Sequence, residues 1–155
     1  MFARAILERK GTAVFKVAPD DTLTECIQQL KREGVGALLV LDRDESLRGI
    51  ITERDILHIC GNRPFQPNHI LVRDIMTPAN GVLTAALDDS LEQMMEKMTS
   101  HHVRHLPVLS AGAVVGIISI GDVIKALLDL ARDENEHLKN CISGIASAAG
   151  LSSTL

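Results

Sequence analysis

An internal repeat restricts the fold of this 155-residue chain more than any other feature. Three segments occur twice: DDTL and DDSL (20–23 and 88–91), VGALLVL and VRHLPVL (35–41 and 103–109), and GII (49–51 and 116–118). The first two pairs are offset by 68 residues and the third by 67, because one loop is a residue shorter. Loops tolerate such deletions while the flanking elements stay intact. The chain is therefore predicted to contain two structurally equivalent units.

Both copies of the repeat carry the same predicted order of elements. In order, these are an extended segment (12–17 and 81–84), a helix with a capping-box pattern (Thr22-x-x-Glu25 and Ser90-x-x-Gln93), two aliphatic strands (35–41 and 47–52; 103–109 and 113–119) and a second helix near Asp55 and Asp122. One such unit is too small to bury its own sheet. We therefore predict an α/β (α+β) fold in which two pseudo-symmetric β-α-β-β-α repeats pack sheet to sheet.

The repeat also divides the chain. The predicted divisions are a first repeat at 6–61, a linker at 62–70 with two prolines and no periodicity, a second repeat at 71–130 and a C-terminal extension at 131–155. A long helix is predicted from Val123 to Ile142, with Val123, Leu127 and Leu130 on one apolar stripe. This helix extends beyond the predicted core, which indicates contact with a partner or a second copy. Residues 144–155 are predicted to fray.

Composition excludes several classes of function. The chain is 46% apolar but has no Trp, no Tyr and three Phe, so an aliphatic core is predicted and binding by aromatic stacking is disfavoured. A net charge of −4 provides no general attraction for nucleic acid or anionic membranes. No signal-peptide pattern or long apolar run is present, and the three cysteines are widely spaced. These features indicate a cytoplasmic protein.

The candidate site consists of two hydroxyl–carboxylate pairs, Thr52-x-x-Asp55 and Ser119-x-x-Asp122. Each pair lies where an aliphatic strand is predicted to meet a helix. A carboxylate there can accept hydrogen bonds from ribose hydroxyls, and a helix N-terminus attracts anions. A single pair of this kind is also an ordinary helix-capping pattern. Its recurrence at equivalent places, after Gly-Ile-Ile each time, favours a binding role.

These motifs resemble a known family. The two G-h-h-(T/S)-x-x-D segments, VRHLPV and the DIMT of 74–77 resemble a tandem pair of cystathionine-beta-synthase (CBS) domains, or Bateman module, over about residues 6 to 130. The stretch 104–126 is closely similar to stand-alone bacterial modules of the family. The resemblance implies a regulatory module rather than an enzyme. Its ligand would be an adenosine-containing nucleotide held between the repeats: AMP first, then ATP, ADP or NAD(H), with S-adenosylmethionine as a further alternative.

The resemblance also implies two unequal sites. By position, one site would combine Asp122, Ser119, Arg104 and His105 with Lys10, Thr12 and Val14, and the other would combine Asp55, Thr52, Arg54 and Gly36 with Met76 and Thr77. An arginine offers a forked donor to phosphate, and a neighbouring histidine adds charge when protonated. The first repeat has Gly36 and Ala37 where the second has this basic pair, which breaks the symmetry. Adenine would then be held by aliphatic side chains and Met.

Parts of the sequence are also compatible with other functions. A structural dimerisation module without a ligand would explain both Asp residues as helix caps. A metal site at His101, His102 and His105 is less favoured, because the pattern straddles a helix end and a strand, so the side chains should diverge. No G-x-S-x-G, HExxH or P-loop motif indicates catalysis, and no catalytic cofactor is expected. The family resemblance further implies a homodimer, and an unknown effector protein as a partner.

Overall fold

The computed structural model describes residues 1–61 and 64–148, with side chains described as far as residue 145. In order, the elements of the first half of the chain are α1 (Ala3–Lys10), β1 (Lys16–Val17), α2 (Leu23–Glu33), β2 (Ala37–Leu41), β3 (Leu47–Thr52) and α3 (Glu53–Cys60). Those of the second half are α4 (Val72–Ile75), β4 (Thr77–Pro78), β5 (Ala85–Ala86), α5 (Leu91–Ser100), β6 (His105–Ser110), β7 (Ala113–Ser119) and α6 (Ile120–Ala148). Short 3₁₀ turns lie at Pro67–His69, within the predicted linker, and at Ala79–Gly81.

The strands form two small sheets with matching registers. The order is β1-β2-β3-β4 in one sheet and β5-β6-β7 in the other. In the first sheet β1 runs parallel to β2, and β2 pairs with β3 in antiparallel fashion. In the second sheet β5 runs parallel to β6, and β6 pairs with β7 in antiparallel fashion. Ala37 lies opposite Thr52 in the first sheet, and His105 lies opposite Ser119 in the second. The predicted α/β fold of two pseudo-symmetric repeats is confirmed.

Aliphatic packing holds the two sheets together, as predicted. Each half has its own buried cluster, and a third cluster lies between the sheets. In this third cluster Leu39 and Ile50 of the first sheet are buried against Val114 and Ile117 of the second. The interface is therefore sheet to sheet, and it aligns the C-terminal ends of β3 and β7.

The helical segments α1 and α4 are exchanged between the halves, and the family resemblance implied this crossing only for the residues that follow α1, by grouping Lys10, Thr12 and Val14 with Asp122. Helix α1 joins the core of the second half, where the Ala3 amide donates to the Asp89 carbonyl at 2.9 Å. The short helix α4 joins the core of the first half, where the Val72 amide donates to the Asp21 carbonyl at 2.9 Å. Each half thus completes its core with a segment from the other. The repeat boundaries given above, 6–61 and 71–130, therefore remain predictions.

Two equivalent glycines permit this exchange. A Cβ on Gly49 would collide with the Thr77 backbone of β4, and a Cβ on Gly116 would lie 2.7 Å from the Leu7 side chain of α1. A side chain at position 49 would therefore displace the β4 backbone, whereas one at position 116 would require the Leu7 side chain to move. The repeated Gly-Ile-Ile motif therefore also serves packing.

Helix α6 differs from its prediction at both ends and along its apolar stripe. It begins at Ile120 and continues to Ala148, so residues 144–148 are helical and not frayed. The rest of the predicted frayed tail, 149–155, lies outside the described residues. Val123 and Ala126 are buried and Leu130 packs against the same core. Leu127 is 37% exposed, because it lies on the side of the helix that faces away from the sheet.

Candidate functional site

A cavity of about 460 Å³ lies where the first turns of α3 and α6 meet. This volume is in the range of small-molecule sites. Polar and charged residues from both halves line the cavity, together with three glycines. These lining residues are Gly36, Thr52, Glu53, Arg54, Asp55, Thr77, Gly81, His101, His102, Arg104, His105, Ser119 and Gly121. The sheet-to-sheet packing of the repeats thus creates a cleft to which both halves contribute.

Asp55 is held at the start of α3 by a capping box. One carboxylate oxygen, Oδ2, accepts hydrogen bonds from the Thr52 amide and the Thr52 hydroxyl, both at 2.8 Å. The side chain is half-buried at the cavity wall. In residues 1–61 and 64–148, no lysine or arginine pairs with this carboxylate, so Oδ1 is available to a hydroxyl donor.

Asp122 has the same local geometry but a different partner. Its Oδ2 accepts from the Ser119 amide at 2.7 Å, from the Ser119 hydroxyl at 2.8 Å and from the Lys10 ammonium at 2.6 Å. Burial acts to raise the pKa of Asp122, but the hydrogen bonds from Lys10 and Ser119 outweigh it and hold that pKa below its ordinary value. Asp122 is therefore ionised and already paired with a cation, and it is not among the residues that line the cavity.

Arg104 and Gly36 occupy equivalent positions, just before the middle strand of each sheet. The Arg104 carbonyl accepts from the Ile120 amide at 2.9 Å, and the Gly36 carbonyl accepts from the Glu53 amide at 3.1 Å. The exposed Arg104 side chain lines the cavity. A Cβ on Gly36 would lie 3.5 Å from the His105 ring and 3.3 Å from the Glu53 carboxylate. Gly36 thus leaves space in the first half at the position where the second half has the positively charged side chain of Arg104.

His105 carries less charge than the sequence analysis expected. Burial and the neighbouring Arg104 lower the pKa of His105 below its ordinary value of 6.5, although Asp122 and Glu53 act in the opposite direction. The imidazole is consequently neutral at pH 7 in the absence of a ligand. It can donate one hydrogen bond to an anion but adds no positive charge.

The structure groups the predicted site residues differently from the two-site assignment. Those that line this cavity are Gly36, Thr52, Arg54, Asp55, Thr77, Arg104, His105 and Ser119. Arg104 and His105, expected beside Asp122, share a cleft with Asp55. The Arg54 guanidinium also spans the cleft, because it donates to the His102 carbonyl at 2.8 Å.

Four further predicted site residues lie elsewhere. Lys10 lies outside this cavity but beside Asp122, the residue with which the two-site assignment grouped it, and Thr12 is exposed outside the cavity lining. Val14 packs between the two sheets. Met76 packs against the core of the first half, so its side chain supports β3 and does not contribute to the cavity wall. These residues belong to the exchanged segment or to its connection, whose packing is not readable from local patterns.

The apolar wall of the cavity is aliphatic as predicted, but Met, which was also expected there, is not among the described residues that line it. It consists of aliphatic side chains only: Ile50, Val82, Leu83, Val103 and Ile120. Two signals in the sequence could have identified it. Ile50 belongs to the repeated Gly-Ile-Ile motif, and Val82 and Leu83 lie in the predicted extended segment 81–84.

The three histidines of the sequence motif lie on different elements of the described structure. Within the described residues, no group of three or more His, Cys, Asp or Glu side chains is arranged to hold a metal ion. His101 follows the last residue of α5 and its ring nitrogen Nδ1 lies 3.2 Å from the Lys97 carbonyl, whereas His105 begins β6.

None of the helices in the described chain has both the length and the apolar character that a membrane span requires.

The cleft between two such repeats is the arrangement seen in a known family. A model of the CBS domain family matches residues 10–62 and 72–129. The chain belongs to the CBS domain family. Among curated relatives, the mitochondrial CBS domain-containing protein CBSX3 of Arabidopsis thaliana is 35% identical over 127 residues, which are 81% of this chain and 62% of that protein. The chain therefore spans less than two thirds of the length of that relative.

Solved CBS structures share the fold. The CBS-domain containing protein ATU1752 of Agrobacterium tumefaciens is 36% identical with a TM-score of 0.78, over 81% of this chain and 98% of that one. A CBS domain protein of Pyrobaculum aerophilum, PAE2072, which was solved in complex with AMP, is 25% identical with a TM-score of 0.72, over 85% and 99% of the two chains. The predicted tandem CBS pair is thereby confirmed.

Proposed function

We propose that the cleft binds an adenosine-containing nucleotide and that this binding regulates another protein. AMP is the first candidate ligand, followed by ATP, ADP and NAD(H), with S-adenosylmethionine as an alternative. The observation that carries the proposal is the cavity shared by both halves, which is lined by the helix-capping carboxylate of Asp55 from one half and by the guanidinium of Arg104 from the other. The similar protein of Pyrobaculum aerophilum that was crystallised with AMP supports this choice.

Asp55 is proposed to bind the ribose. Its Oδ2 is already hydrogen-bonded to Thr52, which fixes the orientation of the carboxylate. The remaining oxygen, Oδ1, can accept from the two adjacent ribose hydroxyls. Thr77 and Gly36 line the same cavity, and the missing side chain of Gly36 leaves space in it.

Arg104 is proposed to bind the phosphate. Its guanidinium is exposed at the cavity wall and carries parallel N–H donors that suit a phosphate. The first turn of α6, with Ser119 and Gly121, faces the same space and adds the positive end of the helix dipole. His105, neutral in the free protein, can donate one further hydrogen bond.

Adenine is proposed to lie between aliphatic side chains. The wall residues Ile50, Val82, Leu83, Val103 and Ile120 offer apolar surfaces to the faces of a flat ring. Such contacts remove apolar area from water but provide little specificity. The choice of nucleotide therefore depends on the polar groups at the two ends of the cavity.

Regulation is proposed to follow from the composition of the cleft. Since Asp55 comes from one half and Arg104 from the other, a bound nucleotide favours one relative arrangement of the two sheets. We propose that this arrangement is transmitted to an effector protein or to the second subunit of a homodimer in the cytoplasm, without catalysis by the chain itself.

Thermal unfolding in the presence of individual nucleotides tests the proposal. A ligand at about 100 times its Kd stabilises the folded state by roughly 2.7 kcal/mol, which corresponds to a rise in Tm of about 5 to 10 °C. We expect this shift with AMP in the wild-type protein and its loss in Asp55→Ala. If AMP, ATP, ADP, NAD(H) and S-adenosylmethionine all leave Tm unchanged, the structural dimerisation module becomes the better interpretation.

A further inference from the structure

The C-terminal part of α6 leaves the body of the molecule. Val123 and Ala126 are buried in the core of the second half, but every residue from Ala131 to Ile145 is exposed. These 15 residues extend over about 22 Å at the rise of an α-helix. A single helix of this length without tertiary contacts is marginally stable in water. Some partner surface is therefore expected to cover one of its faces.

The exposed apolar residues of α6 follow a seven-residue repeat. In heptad notation Leu128, Asn135 and Ile142 occupy a positions, and Ile124, Ala131, Leu138 and Ile145 occupy d positions. The five large apolar members of this set, which we call the a/d stripe, are between 51% and 68% exposed. Apolar a and d positions over three heptads are typical of a coiled coil.

The remaining faces of this segment are polar. Asp133, Glu136, His137, Asn140 and Ser143 occupy the positions that point away from the a/d stripe. Only one side of the helix can therefore bury apolar surface. The partner must present a narrow apolar stripe of matching length, and a second copy of α6 provides one.

Asn135 indicates how two copies would align. A single asparagine at an a position is known to fix the register and the two-stranded state of parallel coiled coils, at some cost in stability. Its amide has both donors and acceptors, so two Asn135 side chains can bond to each other across the axis. An unrelated apolar groove would leave this amide buried without a partner.

Charges beside the a/d stripe favour the same arrangement. Glu134 is at a g position and Lys139 is at the e position of the next heptad. In a parallel, in-register pair, Glu134 of each copy faces Lys139 of the other. In an antiparallel pair, g positions face g positions and e positions face e positions, so Glu134 would meet Glu134, and Lys139 and Arg132 would meet other cations.

We propose that residues 124–145 of α6 form a parallel, two-stranded coiled coil with a second copy of this chain. The a/d stripes are buried against each other, Asn135 pairs with Asn135, and two Glu134–Lys139 ion pairs flank the seam. This interface involves none of the cavity residues, so it stands or falls independently of nucleotide binding.

Cysteine crosslinking tests the orientation. In a Cys60→Ser, Cys141→Ser background, Cys26 is the remaining thiol, and its burial raises its pKa to about 11, so it does not compete. Ala131→Cys and Leu138→Cys, each made separately, should both give a disulfide-linked dimer under mild oxidation. Asn140→Cys, on the outer face, should crosslink about tenfold more slowly because its Cα atoms are too far apart. In an antiparallel pair identical residues meet at one place only, so crosslinking at one of the two d positions but not the other overturns the proposal.

Charge exchange tests the pairing across the seam. With Leu138→Cys as the reporter, Glu134→Lys or Lys139→Glu alone should slow crosslinking by about tenfold, because each places like charges opposite each other. The double variant should restore the wild-type rate. Since Glu134 and Lys139 are exposed and five residues apart, they do not face each other within one helix. Equal rates in all four proteins, with an unchanged Tm, would show that the copies do not pair through this face.

Discussion

Asp55 and Asp122 are equivalent residues whose surroundings differ. Both cap a helix through a hydroxyl residue three positions earlier, with nearly the same hydrogen-bond lengths. Asp122 also binds Lys10, at the end of the exchanged helix α1, whereas the corresponding residues of the other exchanged segment, Pro78 and Ala79, provide no cation. Two copies of one motif thus become unequal through the segment that each receives from the other half.

A second inequality reinforces the first. Gly36 and Arg104 precede equivalent strands, so one wall of the cleft is open and the other carries a cation. A ligand with a neutral sugar end and an anionic end matches this polarity. The unpaired carboxylate of Asp55 and the guanidinium of Arg104 would then bind opposite ends of one nucleotide, and Asp122 would only support the fold.

The largest expected effect separates the two carboxylates. Asp55→Ala removes a charged hydrogen-bond acceptor worth about 1.5 to 3 kcal/mol, so AMP affinity should fall roughly 10-fold to 150-fold. Asp122→Ala should change AMP affinity by only about twofold, because Asp122 is not in the cavity lining and would act on a ligand only indirectly, through Ser119 and His105. Isothermal titration calorimetry measures both affinities. Each variant loses a helix cap, which costs about 1 kcal/mol of folding stability and provides a matched control. Equal losses of affinity in the two variants would contradict the assigned asymmetry.

Arg104→Ala should weaken AMP binding by roughly 10-fold to 100-fold, because a charged hydrogen bond to the phosphate is lost. Adenosine lacks the phosphate, so its affinity should be unchanged. Arg54→Ala is the matched control, since Arg54 also lines the cavity but its guanidinium is bound to the His102 carbonyl. The same calorimetric titration, run with AMP and with adenosine, distinguishes these outcomes. A loss of adenosine binding in Arg104→Ala would show that Arg104 shapes the cavity and does not bind phosphate.

Local patterns predicted much of the fold. The capping boxes at Thr22 and Ser90 start α2 and α5 as expected, and the aliphatic runs form the middle strands of both sheets. These features depend on residues a few positions apart, which a periodicity or a motif reveals. The repeat then implied that the two halves would pack together, because neither can bury its sheet alone.

Contacts between distant segments could not be predicted in the same way. The Lys10–Asp122 pair joins residues 112 positions apart, and no local pattern connects them, so only the family resemblance placed the two residues together. The sequences ARAI at 3–6 and VRDI at 72–75 are similar, which indicates that the two exchanged segments are equivalent. This similarity does not show which half each segment packs against. The neutral state of His105 likewise follows from burial, which emerges only once both halves are assembled.

The smallest expected effect concerns the role of Lys10 in stability. A double-mutant cycle with Lys10→Met and Asp122→Asn should give a coupling energy of about 0.5 to 1 kcal/mol at pH 7, in the range of partly buried ion pairs. The exposed Arg73–Asp20 pair, which joins the other exchanged segment to the first half, is the control and should show a smaller coupling. Unfolding in urea measures each free energy.

The coupling should also depend on pH. Because the pKa of Asp122 is lowered in the folded protein, its ionised form is favoured by folding. Its contribution to stability is therefore fully present above the ordinary carboxyl pKa of 3.8 and is lost as the pH falls through the lowered folded value. Asp122→Asn lacks this contribution, so the stability difference from the wild type should narrow below pH 4 and be constant between about pH 5 and 8. A difference that persists at the lowest pH would mean that the stabilisation by Asp122 does not depend on its charge, so the ion pair with Lys10 would not be its source.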